Sequence, residues 1–291
     1  MTYSFLMIGQ SNMAGRGKKD EVRAIPAGDK LKMLRNGRFI AMSEPVNYDR
    51  PFAGIGLAPG FIEAFSKDHP DDIVGLIPAA DGGTSLEDWR VGGELYTNAV
   101  NLAKLAMRNS TLIGFLWHQG EGDCGNEQGI ATYESRFVTI IEEMKKELGL
   151  PTVPVIIGGL GDFLKLRAVS PNLVNYPKVN DQLCAIPKHH EGYYFVSAKG
   201  LTSNSDYLHF NSASLREFGL RYYKAFRDRV NLYDDEFADF APIPTAWSED
   251  NVDSETASVN QKLSALGAMF CSGKISKEEY DARQKALMAE L

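Results

Sequence analysis

The chain has 291 residues, 44% hydrophobic and 24% charged, with a formal net charge of −7. These values fit one large globular α/β domain with a small appendage. The acidic balance argues against nucleic acid as a partner, because phosphate binding needs clustered Lys and Arg, and no run of 18 apolar residues is present to cross a membrane.

The first apolar run, residues 3–8 (YSFLMI), lacks a basic flank and a cleavage site, so it reads as a strand rather than a targeting segment. A cytoplasmic protein is the resulting expectation. Four similar runs follow near residues 73–79, 111–117, 153–159 and 193–198, each closely followed by Gly, Ser, Asp or Asn. Their continuous apolarity predicts strands buried on both faces of a parallel sheet. Between them, residues 94–108 place Leu95, Ala99, Leu102 and Ala106 on one helical face. Residues 128–148 carry Tyr133, Phe137, Ile140, Ile141 and Met144 at helical spacing. Residues 211–229 open at Asn211 or Ser212, either of which can cap, and carry Leu215, Phe218, Tyr222 and Phe226. The alternation predicts a three-layer αβα domain over 1–241 with about five parallel strands.

Residues 242–260 are rich in Pro, Ser, Asp and Glu and read as a linker. Residues 261–291 return to a helical pattern, two helices around Gly273, with Ser276 and Glu279 in capping-box spacing. Leu263, Leu266, Met269 and Phe270 form one apolar face; Tyr280, Leu287 and Leu291 form another. So short a hairpin cannot bury a core alone and must dock on the main domain or on another chain. Cys124, Cys184 and Cys271 are far apart and form no CxxC pair, which predicts three free thiols.

In open parallel sheets, ligands bind beyond the carboxyl ends of the strands. After the first strand comes Gly9-Gln10-Ser11-Asn12-Met13. Ser11 there is either a helix cap or a nucleophile whose helix N-terminus favours a developing oxyanion. After the second comes Asp81-Gly82-Gly83-Thr84-Ser85, then Trp89. This is either a plain glycine turn or a backbone that approaches a ligand and donates an N–H. After the third comes Trp117-His118-Gln119-Gly120-Glu121-Gly122-Asp123. The Gln119 amide is a candidate oxyanion donor. His118, Glu121 and Asp123 lack the helical spacing of a metal site, so no metal is expected; a structural polar loop is the other reading. After the fifth comes Asp206-Tyr207-Leu208-His209-Phe210. A carboxylate three residues before an imidazole can fix its tautomer while the other nitrogen faces a serine. His69, His189 and His190 read as solvated turn residues.

Taken in order, these four blocks resemble the sialate O-acetylesterase and acetylxylan esterase branch of the SGNH hydrolases, over about residues 3–230. The resemblance implies a flavodoxin-like sheet of strand order 2-1-3-4-5 and cofactor-free, metal-free acyl transfer through an acyl-enzyme on Ser11. His209 would be base and then acid, oriented by Asp206, with Glu121 a second carboxylate of this branch that can support the histidine. The Ser11 N–H, a glycine N–H of Gly82-Gly83 and Gln119 would form the oxyanion hole. Gln10, Asn12, Trp89 and His118 are the expected substrate contacts, and Gly159-Leu160-Gly161-Asp162-Phe163 matches a segment near the site mouth. The tail resembles a short C-terminal oligomerisation hairpin of bacterial proteins, implying a homo-oligomer.

The expected function is removal of O-acetyl or other short acyl groups from a carbohydrate-like substrate. With no leader visible, a small intracellular acetylated sugar or a non-sugar ester is favoured over an extracellular polysaccharide. The alternatives are a non-catalytic carbohydrate-binding or assembly module on the same fold, and an esterase of a phage or host-interaction protein that assembles through its tail. Selectivity is expected in loops 16–53 and 160–178.

Overall fold

Phe5 sits in the middle of a strand whose residues from Ser4 to Gly9 are all buried, which is why β1 (Thr2–Gly9) is the central strand of the sheet. The computed structural model describes residues 1–237 and 257–290. After β1 come α1 (Ser11–Ala14), β2 (Leu31–Arg35), β3 (Arg38–Ala41), α2 (Ala58–Asp68), β4 (Ile73–Pro78) and α3 (Glu94–Ala106). Then follow β5 (Thr111–His118), α4 (Glu127–Ala131), α5 (Tyr133–Leu148), β6 (Val155–Gly158), α6 (Tyr176–His189), β7 (Tyr193–Val196) and α7 (Ser212–Asp228). The chain closes with α8 (Val259–Cys271) and α9 (Lys277–Met288).

The sheet runs β3-β2-β4-β1-β5-β6-β7, with every pair parallel except β2 with β3. The five strands expected from the sequence are β4-β1-β5-β6-β7 in space, the order 2-1-3-4-5. The two further strands form an edge hairpin whose turn is Asn36-Gly37, with φ of 49° and 78°. That dipeptide favours a two-residue turn with two positive φ angles.

Alternate side chains of β1 and β5 feed the two faces. Phe5 packs edge-on against Phe61 of α2 and Phe226 of α7, with centroids 4.6 and 5.0 Å apart. Trp117 points to the other face, against Phe137 of α5 at 5.0 Å. Each aromatic pair adds about 0.5–1.5 kcal/mol beyond its burial. Helices α2 and α7 thus cover one face; α3 and α5 cover the other, with α6 beside α5.

The helix expected over 128–148 is broken at Thr132 into α4 and α5, though the apolar stripe of α5 is buried as expected. Asn211, not Ser212, caps α7: its Oδ1 accepts from the Ser214 N–H at 2.9 Å. On α3 the buried stripe is Tyr96, Ala99, Val100, Ala103 and Ala106, while Leu95 and Leu102 lie at its margin.

Most of the expected linker lies outside the described residues. The C-terminal helices form a hairpin, with Phe270 stacked on Tyr280 at 4.8 Å. Helix α8 buries Ala265, Leu266, Ala268 and Cys271, and α9 buries none of its side chains. The hairpin lies against the α/β part of its own chain. Lys18 Nζ donates to Ser264 Oγ at 3.1 Å, and Arg167 Nη1 to Cys271 Sγ at 3.2 Å. Ser276 caps α9 by accepting from the Glu279 N–H, while the Glu279 carboxylate pairs with Arg283 instead of closing the box. No helix among the described residues is long and apolar enough to cross a membrane.

Candidate active site

The end of β1 is forced into its shape by Gly9. Its φ is +125°, and a Cβ there would lie 2.1 Å from the His118 carbonyl oxygen on β5. Only glycine lets the two strand ends lie this close while the chain turns into α1. Ser11 is the first residue of α1 and is 6% exposed. The turn that precedes α7 carries His209. The Ser11 hydroxyl is 3.0 Å from His209 Nε2, and His209 Nδ1 is 2.6 Å from Asp206 Oδ2. Asp206 Oδ1 accepts from the N–H groups of Leu208 and His209 at 2.9 and 3.0 Å. Burial raises the Asp206 carboxyl pKa, but the His209 hydrogen bond and charge and these two N–H groups outweigh it, leaving the pKa below its ordinary value. The carboxylate form that orients an imidazole is thereby favoured.

Glu121 does not reach His209. It is 7% exposed, and its Oε1 accepts from Asn12 Nδ2 at 2.5 Å. Asn12 in turn holds the histidine loop, donating to the Leu208 carbonyl at 3.2 Å and accepting from the Phe210 N–H at 3.1 Å. The two residues flanking His209 are therefore tied to the residue that follows Ser11.

The four residues expected as substrate contacts are all buried. Asn12 is 1% exposed and Gln10 4%. Gln10 Oε1 gathers N–H groups from Gln119, Gly120 and Gly122 at 3.2–3.4 Å. Trp89 is fully enclosed against Trp117, with its indole N–H on Thr84 Oγ1 at 3.3 Å. His118 is fully enclosed between the Phe210 and Phe218 rings, and its Nε2–H donates to the Gly159 carbonyl at 3.2 Å. Burial lowers its pKa, so it stays neutral. Gln10, Asn12 and His118 each tie one strand-end loop to another, and Trp89 braces the turn after β4 against Trp117.

Two expected oxyanion donors are also engaged. Gln119 is fully buried. Its Nε2 is surrounded by Gln10 Oε1, the Thr84 carbonyl and Asp123 Oδ2 at 3.2, 3.1 and 2.7 Å, and Tyr133 donates to its Oε1 at 2.8 Å. The Gly82 N–H donates to Asp49 Oδ2 at 2.9 Å. The N–H groups of Ser11 and Gly83 carry no hydrogen bond among the described residues. Gly82 abuts Ser11, since a Cβ on it would lie 3.4 Å from Ser11 Cβ.

Sequence reasoning missed the groups that hold this glycine turn. Asp49 forms a buried ion pair with Arg16, their side chains 1% and 5% exposed. Arg50 donates to the Gly82 carbonyl at 2.7 Å and to Asp81 Oδ1 at 3.0 Å. Burial raises the Asp49 pKa, yet Arg16, the Gly82 N–H and Asn47 outweigh it and hold the carboxyl below its ordinary range. Among the described residues no group of three His, Cys, Asp or Glu side chains is placed to hold a metal ion. Asp123 instead accepts from the Leu86 N–H at 2.8 Å.

Comparison with known proteins agrees with this architecture. A probable carbohydrate esterase of Arabidopsis thaliana is 27% identical over 246 residues, 76% of this chain and 89% of that protein. The X-ray structure of the same Arabidopsis protein superposes with a TM-score of 0.69 at 23% identity, covering 78% of this chain and 98% of that one. The crystal structure of NanS gives 0.62 at 19% identity over 78% and 97%. A carbohydrate acetylesterase from Xanthomonas citri gives 0.58 at 17% over 77% and 55%. The family model for carbohydrate esterases described as sialic acid-specific acetylesterases matches residues 2–228, and the chain belongs to that family and to its SGNH-type fold.

Proposed function

We propose that this chain is a serine esterase that removes O-acetyl groups from a carbohydrate by way of an acyl-enzyme on Ser11. The observation that carries the reading is the unbroken relay from Ser11 Oγ to His209 to Asp206, at 3.0 and 2.6 Å. Geometry of this kind lets a neutral imidazole take the serine proton as the hydroxyl attacks the ester carbonyl. The negative charge that forms on the carbonyl oxygen is met by the Ser11 and Gly83 N–H groups, which carry no hydrogen bond among the described residues. Collapse expels the sugar alcohol, which takes its proton from His209. Water, deprotonated by the same imidazole, then releases acetate and restores Ser11.

Asp49 and Arg50 serve this reading by holding the glycine turn. Arg50 grips the Gly82 carbonyl, and in a trans peptide the Gly83 N–H must point the opposite way. Losing one oxyanion donor typically costs about 100- to 1000-fold in rate. The family description makes acetylated sialic acids the first substrates to try.

The test is labelling by a serine-directed fluorophosphonate together with acetate release from acetylated sugars. Ser11 is expected to carry the label, and Ser11→Ala to lose both label and turnover. Turnover that persists in a clean Ser11→Ala preparation overturns the mechanism. Label and turnover both missing from the folded wild type would favour a binding module.

A further inference from the structure

The turn that carries Asp206 and His209 is closed on itself by the Asn204 N–H, which donates to the His209 carbonyl at 2.7 Å. Three further bonds grip it from outside. At its start, Asn204 Nδ2 donates to the Arg16 carbonyl at 3.0 Å. At its end, Ser212 Oγ donates to the Lys18 carbonyl at 2.6 Å. In its middle, Arg167 Nη1 donates to the Asp206 carbonyl. Two separate loops supply these grips, the chain leaving α1 and the chain between β6 and α6.

Helix α8 joins the same two loops. Lys18 Nζ donates to Ser264 Oγ at 3.1 Å, and the Arg167 Nη1 that holds Asp206 also donates to Cys271 Sγ at 3.2 Å. Ser264 and Cys271 are two helical turns apart, about 10 Å along the axis. Just beyond α8, Gly273 lies so close to Ala168 that a Cβ on it would be 2.9 Å from the Ala168 Cβ. Between the two ties α8 buries Ala265, Leu266 and Ala268. None of these three side chains belongs to the continuous core around the sheet. Arg167 grips the peptide of Asp206 and leaves the carboxylate to His209 Nδ1, 2.6 Å away. A guanidinium is rigid and planar, so it fixes the directions of two partners at once.

We propose that α8 is a strap across the two loops that hold the triad turn, and that Arg167 is a positioning residue through which the docked hairpin sets the orientation of Asp206. The strap rests on the esterase reading for its effect on turnover alone. It gives the C-terminal hairpin a task in the site of its own chain.

The test uses full-length chains carrying Arg167→Ala, Ala268→Glu or both. Ala268 is 2% exposed, so a glutamate there drives α8 off its seat. Leu266→Ala, which only thins the seat, takes its place if the glutamate variant does not fold in urea-unfolding controls. Two readouts are taken: kcat and KM for p-nitrophenyl acetate, and hydrogen–deuterium exchange of the peptide covering residues 203–211. Each single change is expected to lower kcat about 10- to 100-fold, the cost of a displacement of about 1 Å, with KM within about twofold. Exchange over 203–211 is expected to rise about fivefold or more as the turn loosens. The double variant is expected to lose no more than the worse single, because both changes cut one chain of contacts. Wild-type kcat and exchange in either folded single variant, a loss that falls on KM instead of kcat, or losses that multiply in the double variant overturn the strap. Exchange is read without hydrolysis. A wild type that neither turns over nor takes label on Ser11 therefore refutes the esterase reading, while the 203–211 exchange still decides the strap.

Discussion

Replacing Asp206 by Asn separates two carboxylates that the sequence leaves as rivals for supporting His209. Asp206 Oδ1 accepts two backbone N–H groups, at 2.9 and 3.0 Å, so an asparagine keeps its oxygen there and turns its NH₂ toward His209 Nδ1. Two donors then face each other across a 2.6 Å contact unless the ring moves its proton to Nε2. In that tautomer Nε2 cannot accept from Ser11. The expected loss in kcat is about 10⁴-fold, by analogy with other triads of this geometry, or about 5 kcal/mol of barrier. KM should change little, because the carboxylate does not reach the substrate. Glu121→Gln keeps an oxygen for Asn12 and loses only a charge-assisted bond, worth about 1–2 kcal/mol or roughly tenfold. The assay is kcat and KM for p-nitrophenyl acetate hydrolysis by wild type and both variants, with thermal unfolding as the control for folding. If Asp206→Asn stays within tenfold of wild type, or Glu121→Gln is equally damaging in a folded protein, the assignment of the orienting carboxylate is wrong.

Asp49→Asn leaves the Arg16 guanidinium, 5% exposed, without its counter-charge, and should destabilise the fold by about 3–5 kcal/mol in urea unfolding. Because the Asp49 pKa is below its free value, the stabilisation is complete above about pH 4 and is lost as pH falls through the native pKa. The variant should lack that part of the wild type's acid lability, and an unchanged acid-unfolding curve would contradict it. Gly9→Ala sets a methyl against the His118 carbonyl at a φ of +125°. A loss of roughly 3 kcal/mol is expected, and a wild-type denaturation midpoint would show that the strand ends can part. Burial pushes the thiols of Cys124 and Cys184 up to about 12, so at pH 8 only about one in 10⁴ is thiolate. Iodoacetamide should modify both far more slowly in native than in unfolded protein, and equal rates would refute their enclosure.

The parallel core was legible because a strand buried on both faces has to be apolar without interruption, as β1, β4 and β5 are. The β2–β3 hairpin was not read, although Asn36-Gly37 marks its turn. Its strands LKMLR and RFIA carry charges at an exposed edge and imitate a loop. The break at Thr132 was equally hidden, because the apolar spacing of α5 runs on through the residues before it. In the site, Ser11, Asp206 and His209 could be picked out because each follows a strand end and has chemistry that a turn does not require. Asp49 could not: it meets Arg16 and Gly82 from 33 residues away on either side, through a loop with no periodic pattern.

Gln10, Asn12, Trp89 and His118 show why a motif cannot by itself divide contact from support. Four strand ends that converge on one point leave backbone N–H and C=O groups without ladder partners, and buried side chains must satisfy them. A side chain placed there for that purpose looks, in sequence, like one placed there for a ligand. Burial and the bonds already made bear on the distinction, and the polar block after β5 is buried and extensively bonded. Asn12 binds both peptides that flank His209 while its own neighbour is Ser11, so one side chain ties the Ser11 turn to the His209 loop. For the esterase we propose, a site held this way would need little rearrangement when an ester arrives, the condition under which the Ser11 and Gly83 N–H groups could stabilise an oxyanion effectively.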